Sequence, residues 1–316
     1  MPQPLRVFLT VVLLVFGVIR PGVPASQQPA EPPIVGRWDI TVESADGKYP
    51  SWLEVRKSGY VTLVGRFVGQ SGSARPISRI EFVEGKLSFS VPPQWERRDR
   101  DLEFEGKLEN DRLSGWTTDS AGKRLTWTAN RAPLLRRQAQ PAWDKPIALL
   151  SRSDLTGWQA IGANNWQVAN GVLTNTKAGG NLVTNQKFTD FKLHAEFRYP
   201  KDGNSGIYLR GRHEVQIEDT AGREPASVHL GGIYGFLTPN EDAAKPAGEW
   251  QTFDITLVGR LVTVVLNGKT IICSQTIPGI TGGALDSDEG APGPLLLQGD
   301  HGPIEFRNLI VTPAKR

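Results

Sequence analysis

The chain has 316 residues, 39% of them hydrophobic and 22% charged, a globular rather than a disordered composition with room for about two domains. Its 36 basic and 33 acidic residues leave a net charge of +3. That balance, with no basic stripe interleaved with aromatics, excludes a nucleic-acid footprint, and the runs ERRDR (96–100) and LLRRQ (134–138) read as solvated surface.

In chain order, Arg6 precedes the apolar run VFLTVVLLVFGVI (7–19), and Val23-Pro24-Ala25 offers small residues to a peptidase. This pattern predicts a Sec-type signal peptide over residues 1–25. Its apolar run is shorter than the roughly 20 residues a membrane span needs. The expectation is an exported chain, periplasmic or extracellular, with no membrane segment after cleavage. Residues 26–33, SQQPAEPP, read as a flexible linker.

From Ile34 to Ala132 short strands alternate with turn signals: RWDITVE, WLEVRK, YVTLVGRFV, KLSFSVP, DLEFEGKLE and RLTWTAN, separated by ADGK, KSGY, VEGK, ENDR and DSAGK. Even spacing and period-two alternation predict a small antiparallel barrel or meander. The opening GRWD and closing TWTANRAP are loosely similar to the ends of a lipocalin-like barrel. Trp52, Trp95, Trp116 and Trp127 fit either a sugar-binding surface or the barrel core, and the burial habits of tryptophan favour the core.

Residues 133–146 carry charges and prolines and are read as a second linker. Strands then resume over 147–316: hairpins around Asn170-Gly171 and Asn267-Gly268, the strand FKLHAEFRY, and a closing IEFRNLIVTP. No stretch holds a helical period. The fold class is therefore all-β, a sandwich or jelly roll preceded by the smaller β-domain. Cys273, the single cysteine, has no partner for an intrachain disulfide. In TIICSQ it is expected to pack as a small apolar residue.

The fragments ALLSRSDLTGW, GNSGIYLRGRHEVQIED, GGIYG, KPAGEWQTFDITLVG, VTVVLNGK and GPLLLQGDHGPIEFRNLIV occur in this order. Together they resemble the 3-keto-disaccharide hydrolase domain family over roughly Lys145 to Pro313. The resemblance implies a concanavalin A-like jelly roll. It also implies a secreted enzyme acting on glycosides already oxidised at C3, with a carbohydrate as substrate. It does not extend to the first β-domain.

In YLRGRHEVQIED (208–219), strand parity sends Ile207, Leu209, Val215 and Ile217 to the core and Tyr208, Arg210, Glu214, Gln216 and Glu218 to the opposite face. Such a wall of carboxylate, amide, guanidinium and phenol suits a sugar. Glu214 and Glu218 as an ordinary glycosidase pair are disfavoured. Four residues along a strand separate the Cα atoms by roughly 13 Å, against carboxyl separations of about 5–5.5 Å or 6.5–9.5 Å in such enzymes. A C3 ketone acidifies the C2 proton and permits elimination of the C1 substituent followed by hydration. That route needs a base, a donor for the enolate oxygen and an acid. Glu214 is the candidate base. The candidate second proton carrier is His301 in the glycine-flanked QGDHGP, oriented by Asp300. Arg210, Gln216, Tyr234 and Gln298 are candidates to bind substrate.

Plainer readings stay open. Glu214 pairs with Arg210 or Arg212, His301 is an ordinary loop histidine, Asn204 is turn chemistry, and Trp250 is core packing. His194 fits either face, and His213 shares the core-side parity of Val215 or sits at the hairpin end. The acidic loop ALDSDEG (284–290) lacks the ligand alternation of a calcium site and reads as surface. No cofactor is expected, although a divalent metal is compatible with the residues present. No phosphate loop or dinucleotide fingerprint stands in either half. A separate sugar 3-dehydrogenase would then supply the oxidised substrate. The rival reading is a lectin-like binding module without turnover.

Overall fold

The computed structural model describes residues 31–94, 96, 98–119 and 121–315. The expected signal peptide, most of the first linker and Trp95 lie outside them. Residues from Ile34 onward form one compact unit.

Eight strands open the fold: β1 (Gly36–Ser44), β2 (Gly47–Ser58), β3 (Thr62–Val68), β4 (Arg75–Val83), β5 (Lys86–Val91), β6 (Leu102–Glu109), β7 (Arg112–Thr118) and β8 (Arg124–Arg131). Each pairs with the next, and β1 pairs antiparallel with β8 to close a barrel. Alternation explains the closure. Trp38, Ile40 and Val42 on β1 and Leu125, Trp127 and Ala129 on β8 all point inward to one apolar core. Trp127 belongs to that core and Trp52 is fully buried. Trp116 is half-buried under the Arg124 guanidinium, 3.9 Å from its ring centre.

The rest forms two packed sheets. Their strands are β9 (Ile147–Ala148), β10 (Trp158–Ile161), β11 (Trp166–Ala169), β12 (Val172–Asn175), β13 (Asn181–Thr184), β14 (Phe191–Arg198), β15 (Asn204–Leu209), β16 (His213–Glu218), β17 (Gln251–Val258), β18 (Leu261–Leu266), β19 (Lys269–Thr276), β20 (Leu296–Leu297) and β21 (Ile304–Pro313). One sheet runs β10-β13-β20-β15-β16. The other runs β11-β12-β21-β14-β17-β18-β19, with β9 on β21. The two sheets enclose one apolar cluster that includes Phe197, Ile207, Leu209, Val215, Ile217, Phe253 and Phe306. The all-β sandwich preceded by a barrel follows. Both Asn-Gly turns have positive φ at both residues, as a tight hairpin requires (Asn170 53°, Gly171 77°; Asn267 51°, Gly268 82°).

A third apolar cluster joins barrel to sandwich: Trp52 and Val68 against Ile280 and Ala284, with Phe236 edge-on to Trp52 at 5.3 Å. Polar groups join them too. Barrel residue Asp39 is buried beside Glu289, which is fully buried and held by Arg260 at 2.5 Å. Burial first, then the Glu289 charge, push the Asp39 carboxyl far above the ordinary range. The segment 284–290 is thus a buried junction at Glu289, not simple surface. Asp286 binds Arg212 at 2.6 Å. Two other expectations fail. Cys273 is exposed, because it follows the buried pair Ile271 and Ile272 on β19, where the pairing with β18 shifts register. Trp250 is only half-buried, its ring serving Arg307 (4.0 Å) and Arg198 (4.9 Å) rather than the core.

Candidate functional site

On the face of β15 and β16 opposite the core lies a cavity of about 370 Å3. Larger cavities exist, such as one of about 850 Å3 lined by residues 131–137, but three of its arginines are spent on other partners: Arg131 on Asp111, Arg137 on Asp190, Arg260 on Glu289. In the smaller cavity acid, base and amide groups converge. Glu214, Gln216, Tyr234, Gln298, Asp300 and His301 all line it. Of the seven residues singled out in the sequence, only Arg210 does not.

Arg210 fails for a local reason. Strand β15 ends at Leu209, which pairs with His213, so residues 210–212 form the hairpin loop. Arg210 takes φ 55° and Gly211 φ 66°, and parity no longer applies. The Arg210 guanidinium is buried, donates from Nη2 to Gly259 O at 2.9 Å, and lies 3.3 Å from His213 Nε2. Burial pushes its pKa down to about 10. His213, fully buried at the end of the hairpin, has Arg210 and Gly279 O (3.1 Å) as its polar partners. Burial and then the Arg210 charge hold it neutral. His194 pairs instead with Asp254 at 2.8 Å, and Glu218 ends β16 opposite Asn204, half-buried.

Glu214 forms the cavity floor. It is 3% exposed, so the face is a recess rather than the open wall that parity alone suggests. Among the described residues no arginine is paired with it: Arg212 binds Asp286 and Arg210 binds Gly259 O. Its neighbour across the strand pair is Tyr208. The Tyr208 hydroxyl donates to Gly282 O at 3.0 Å. Burial pushes the Glu214 carboxyl up to about 8 and the Asp300 charge adds to the rise, while the polar neighbour Tyr208 opposes it. The carboxyl lies across Gly206, where a Cβ would stand 2.4 Å from Glu214 Oε1. Glycine at this point of β15 is therefore the space the acid occupies.

Backbone bonds fix the surroundings. Glu214 N donates to Thr281 Oγ1 at 3.0 Å. The segment 231–234 runs along the free edge of β16: Gln216 N to Gly232 O, Gly231 N to Gln216 O, and Tyr234 N to Glu214 O at 3.1 Å. This covers the sheet edge and sets Tyr234 beside Glu214. Gln298 N donates to Gly206 O at 2.9 Å. The Oε1 atoms of Gln216 and Gln298 are buried without a protein partner. A buried acceptor left unpaired is costly, and two of them in one recess suit a ligand rich in hydroxyl donors.

Asp300 and His301 occupy a bend after β20, and His301 Nδ1 donates to Asp300 Oδ1 at 2.6 Å. That bond raises the histidine pKa above its ordinary value and lowers that of the aspartate. The loop is pinned from below. Asn175, fully buried on β12, donates to Gly299 O (2.8 Å) and Gly302 O (3.0 Å), and Gly299 N donates to Asn181 Oδ1 (2.9 Å).

Four contributions escaped the sequence reading. Tyr208 faces the cavity as parity implies, but its bond to Gly282 O carries no sequence signal. Asn204 begins β15 and lines the cavity rather than forming a turn. Asn175 is an unmarked strand residue. Ser71 and Gly72 come from the barrel, in a loop whose sequence offers no signal for a sandwich site. Among the described residues no cluster of three His, Cys, Asp or Glu side chains is placed to hold a metal ion.

Comparisons with known proteins follow this geometry. A structure described as a candidate glycosyl hydrolase from Parabacteroides distasonis is 33% identical, with 52% of this chain and 82% of that chain covered and a TM-score of 0.46. A second from the same organism is 18% identical over 54% of this chain and 94% of that one, with a TM-score of 0.46. A carbohydrate binding module from Bacillus subtilis is 11% identical over 49% and 95%, with a TM-score of 0.35. No curated protein matches the chain. The model of the 3-keto-alpha-glucoside-1,2-lyase-like domain matches residues 145–312, just over half of the sequence and the whole of the recess except its barrel edge, and the chain belongs to that family.

Proposed function

We propose that the chain cleaves 3-keto-glycosides, including 3-keto-disaccharides, by elimination and hydration. Ionised Glu214 removes the C2 proton. The C2–H electron pair becomes the enolate held on the C3 oxygen, and the C1–O bond then breaks. The departing alkoxide takes a proton from the His301 imidazolium, which Asp300 orients. Water adds at C1 while a proton returns to C2, so the net reaction is hydrolysis. The amide nitrogens of Gln216 and Gln298 are the donors offered to the developing charge, while the two amide oxygens accept from sugar hydroxyls and Tyr234 covers the ring.

The observation that carries this reading is the buried Glu214 carboxyl, unpaired with any arginine among the described residues and pushed up to about 8. A base of that strength is matched to a weak carbon acid near neutral pH. About a tenth is ionised at pH 7, so turnover rises with pH from the acid side until the His301 imidazolium is lost. Oxidation at C3 is assigned to a separate sugar 3-dehydrogenase upstream, and the chain to an exported location.

The test is aglycone release from a 3-keto-glucoside beside the unoxidised glucoside. Release from the first alone is expected, with Glu214→Gln and His301→Ala each losing at least about a hundredfold. Binding of both sugars without release from either would make the chain a lectin-like module. Full rates in both variants would remove the assigned roles.

A further inference from the structure

The family match begins at residue 145, yet the recess is finished by the barrel. Ser71 and Gly72, in the loop between β3 and β4, line it beside Gly282 and Gly283. The contact is backbone on backbone. Gly283 N donates to Gln70 O at 2.9 Å, and a Cβ on Gly282 would stand 2.3 Å from Gly72 O. On the same side a Cβ on Gly235 would stand 2.5 Å from Ala74 N. Glycines in both sandwich loops thus let the barrel loop approach closely. The Trp52–Phe236 and Ile280 cluster behind them holds it in place.

Register says which end of the recess the barrel closes. On β15 the polar face runs Asn204, Gly206, Tyr208, spanning about 13 Å. Strand β20 is antiparallel to β15, with Leu296 opposite Tyr208 and Leu297 opposite Ile207. Gln298 then bonds Gly206, and the chain continues towards Asp300 and His301 at the Asn204 end. Tyr208, at the other end, bonds Gly282 beside the barrel loop. The Asp300–His301 pair is half-exposed, with side chains 49% and 48% accessible, so that end is open.

We infer that the barrel loop 70–74 is a specificity wall: it blocks the glycone end of the recess, so the site takes a terminal 3-keto sugar with the aglycone leaving over Asp300 and His301. This rests on the function proposed above, which sets the leaving group beside His301. The cavity of about 370 Å3 lies at the small end of the range for ligand pockets, roughly 300–1,000 Å3. Extension of the aglycone is tolerated, and a second sugar on the glycone is excluded.

The test uses the full chain. Binding is measured by calorimetry with Glu214→Gln, slowed at least about a hundredfold, and kcat/KM with the active chain. The ligands are 3-keto-glucosides with a methyl or a disaccharide aglycone, and one whose oxidised sugar carries a further glucose. Wild type is expected to handle the first two within about threefold and to discriminate against the third by at least about a hundredfold. Ser71→Trp, at an exposed position, is expected to weaken the first two equally, about tenfold or more. Equal handling of the glycone-extended ligand overturns the proposal. So does a Ser71→Trp effect that grows with aglycone size, or no effect. Discrimination in binding without any turnover leaves the wall in place and removes the chemistry. No binding of any of the three removes both.

Discussion

Glu214→Gln carries a second consequence, for stability rather than rate. The carboxyl rises from an ordinary 4.5 to about 8, chiefly through burial. Between those pH values the folded chain keeps a proton that the unfolded chain has lost. Stability therefore falls by about 1.4 kcal/mol per pH unit. The contribution of a raised pKa is fully present below about 4.5 and lost by about 8, roughly 5 kcal/mol in all as an upper bound. Glutamine has the same shape and no charge at any pH. Urea unfolding at pH 5, 6, 7 and 8 should show the variant gaining on wild type as pH rises, by about 3 kcal/mol at pH 7 relative to acid. The gap should widen until about pH 8 and then stay level. Parallel stability curves across that range would mean the acid is not held protonated by its surroundings, and the matched-base argument would fall with it.

Three further outcomes are expected. Gly206→Ala places a methyl against Glu214 Oε1; a displaced base should cost about a hundredfold in kcat, with Tm changed by only a few degrees, and unchanged kcat would show that the carboxyl acts from elsewhere. Asp300→Asn removes the partner that raises His301, so the His301 signal in a proton NMR titration should move to lower pH; an unmoved midpoint would deny the pairing. Asn175→Leu strips two buried hydrogen bonds from the 299–302 loop; about 2 kcal/mol of stability should be lost and hydrogen exchange should quicken at Gly299 and Gly302, whereas unchanged protection there would show the loop is held otherwise.

Parity made much of the recess legible in the sequence. Ile207, Val215 and Ile217 could not enter the core without sending Tyr208, Glu214 and Gln216 to the other side. The same argument misplaced Arg210, because period-two reasoning ends where a strand ends, and RGR is a turn with two residues at positive φ. QGDHGP announced a loop by its glycines, and the Asp300–His301 bond depends on that bend. What the sequence hid was long-range. Glu289 reads as a solvated acid until Arg260 and Asp39, from other parts of the chain, close over it. Ser71 and Gly72 carry no periodicity, and only the packing of two β-units brings them to the recess.

The seam between barrel and sandwich has a practical meaning for anyone dissecting the chain. Cutting within 133–146 would bare Trp52, Val68 and Ile280. It would also strand the Arg260–Glu289 pair without its capping carboxylic acid from β1. The fragments would be sticky, and heating the intact protein should melt both parts in a single calorimetric peak.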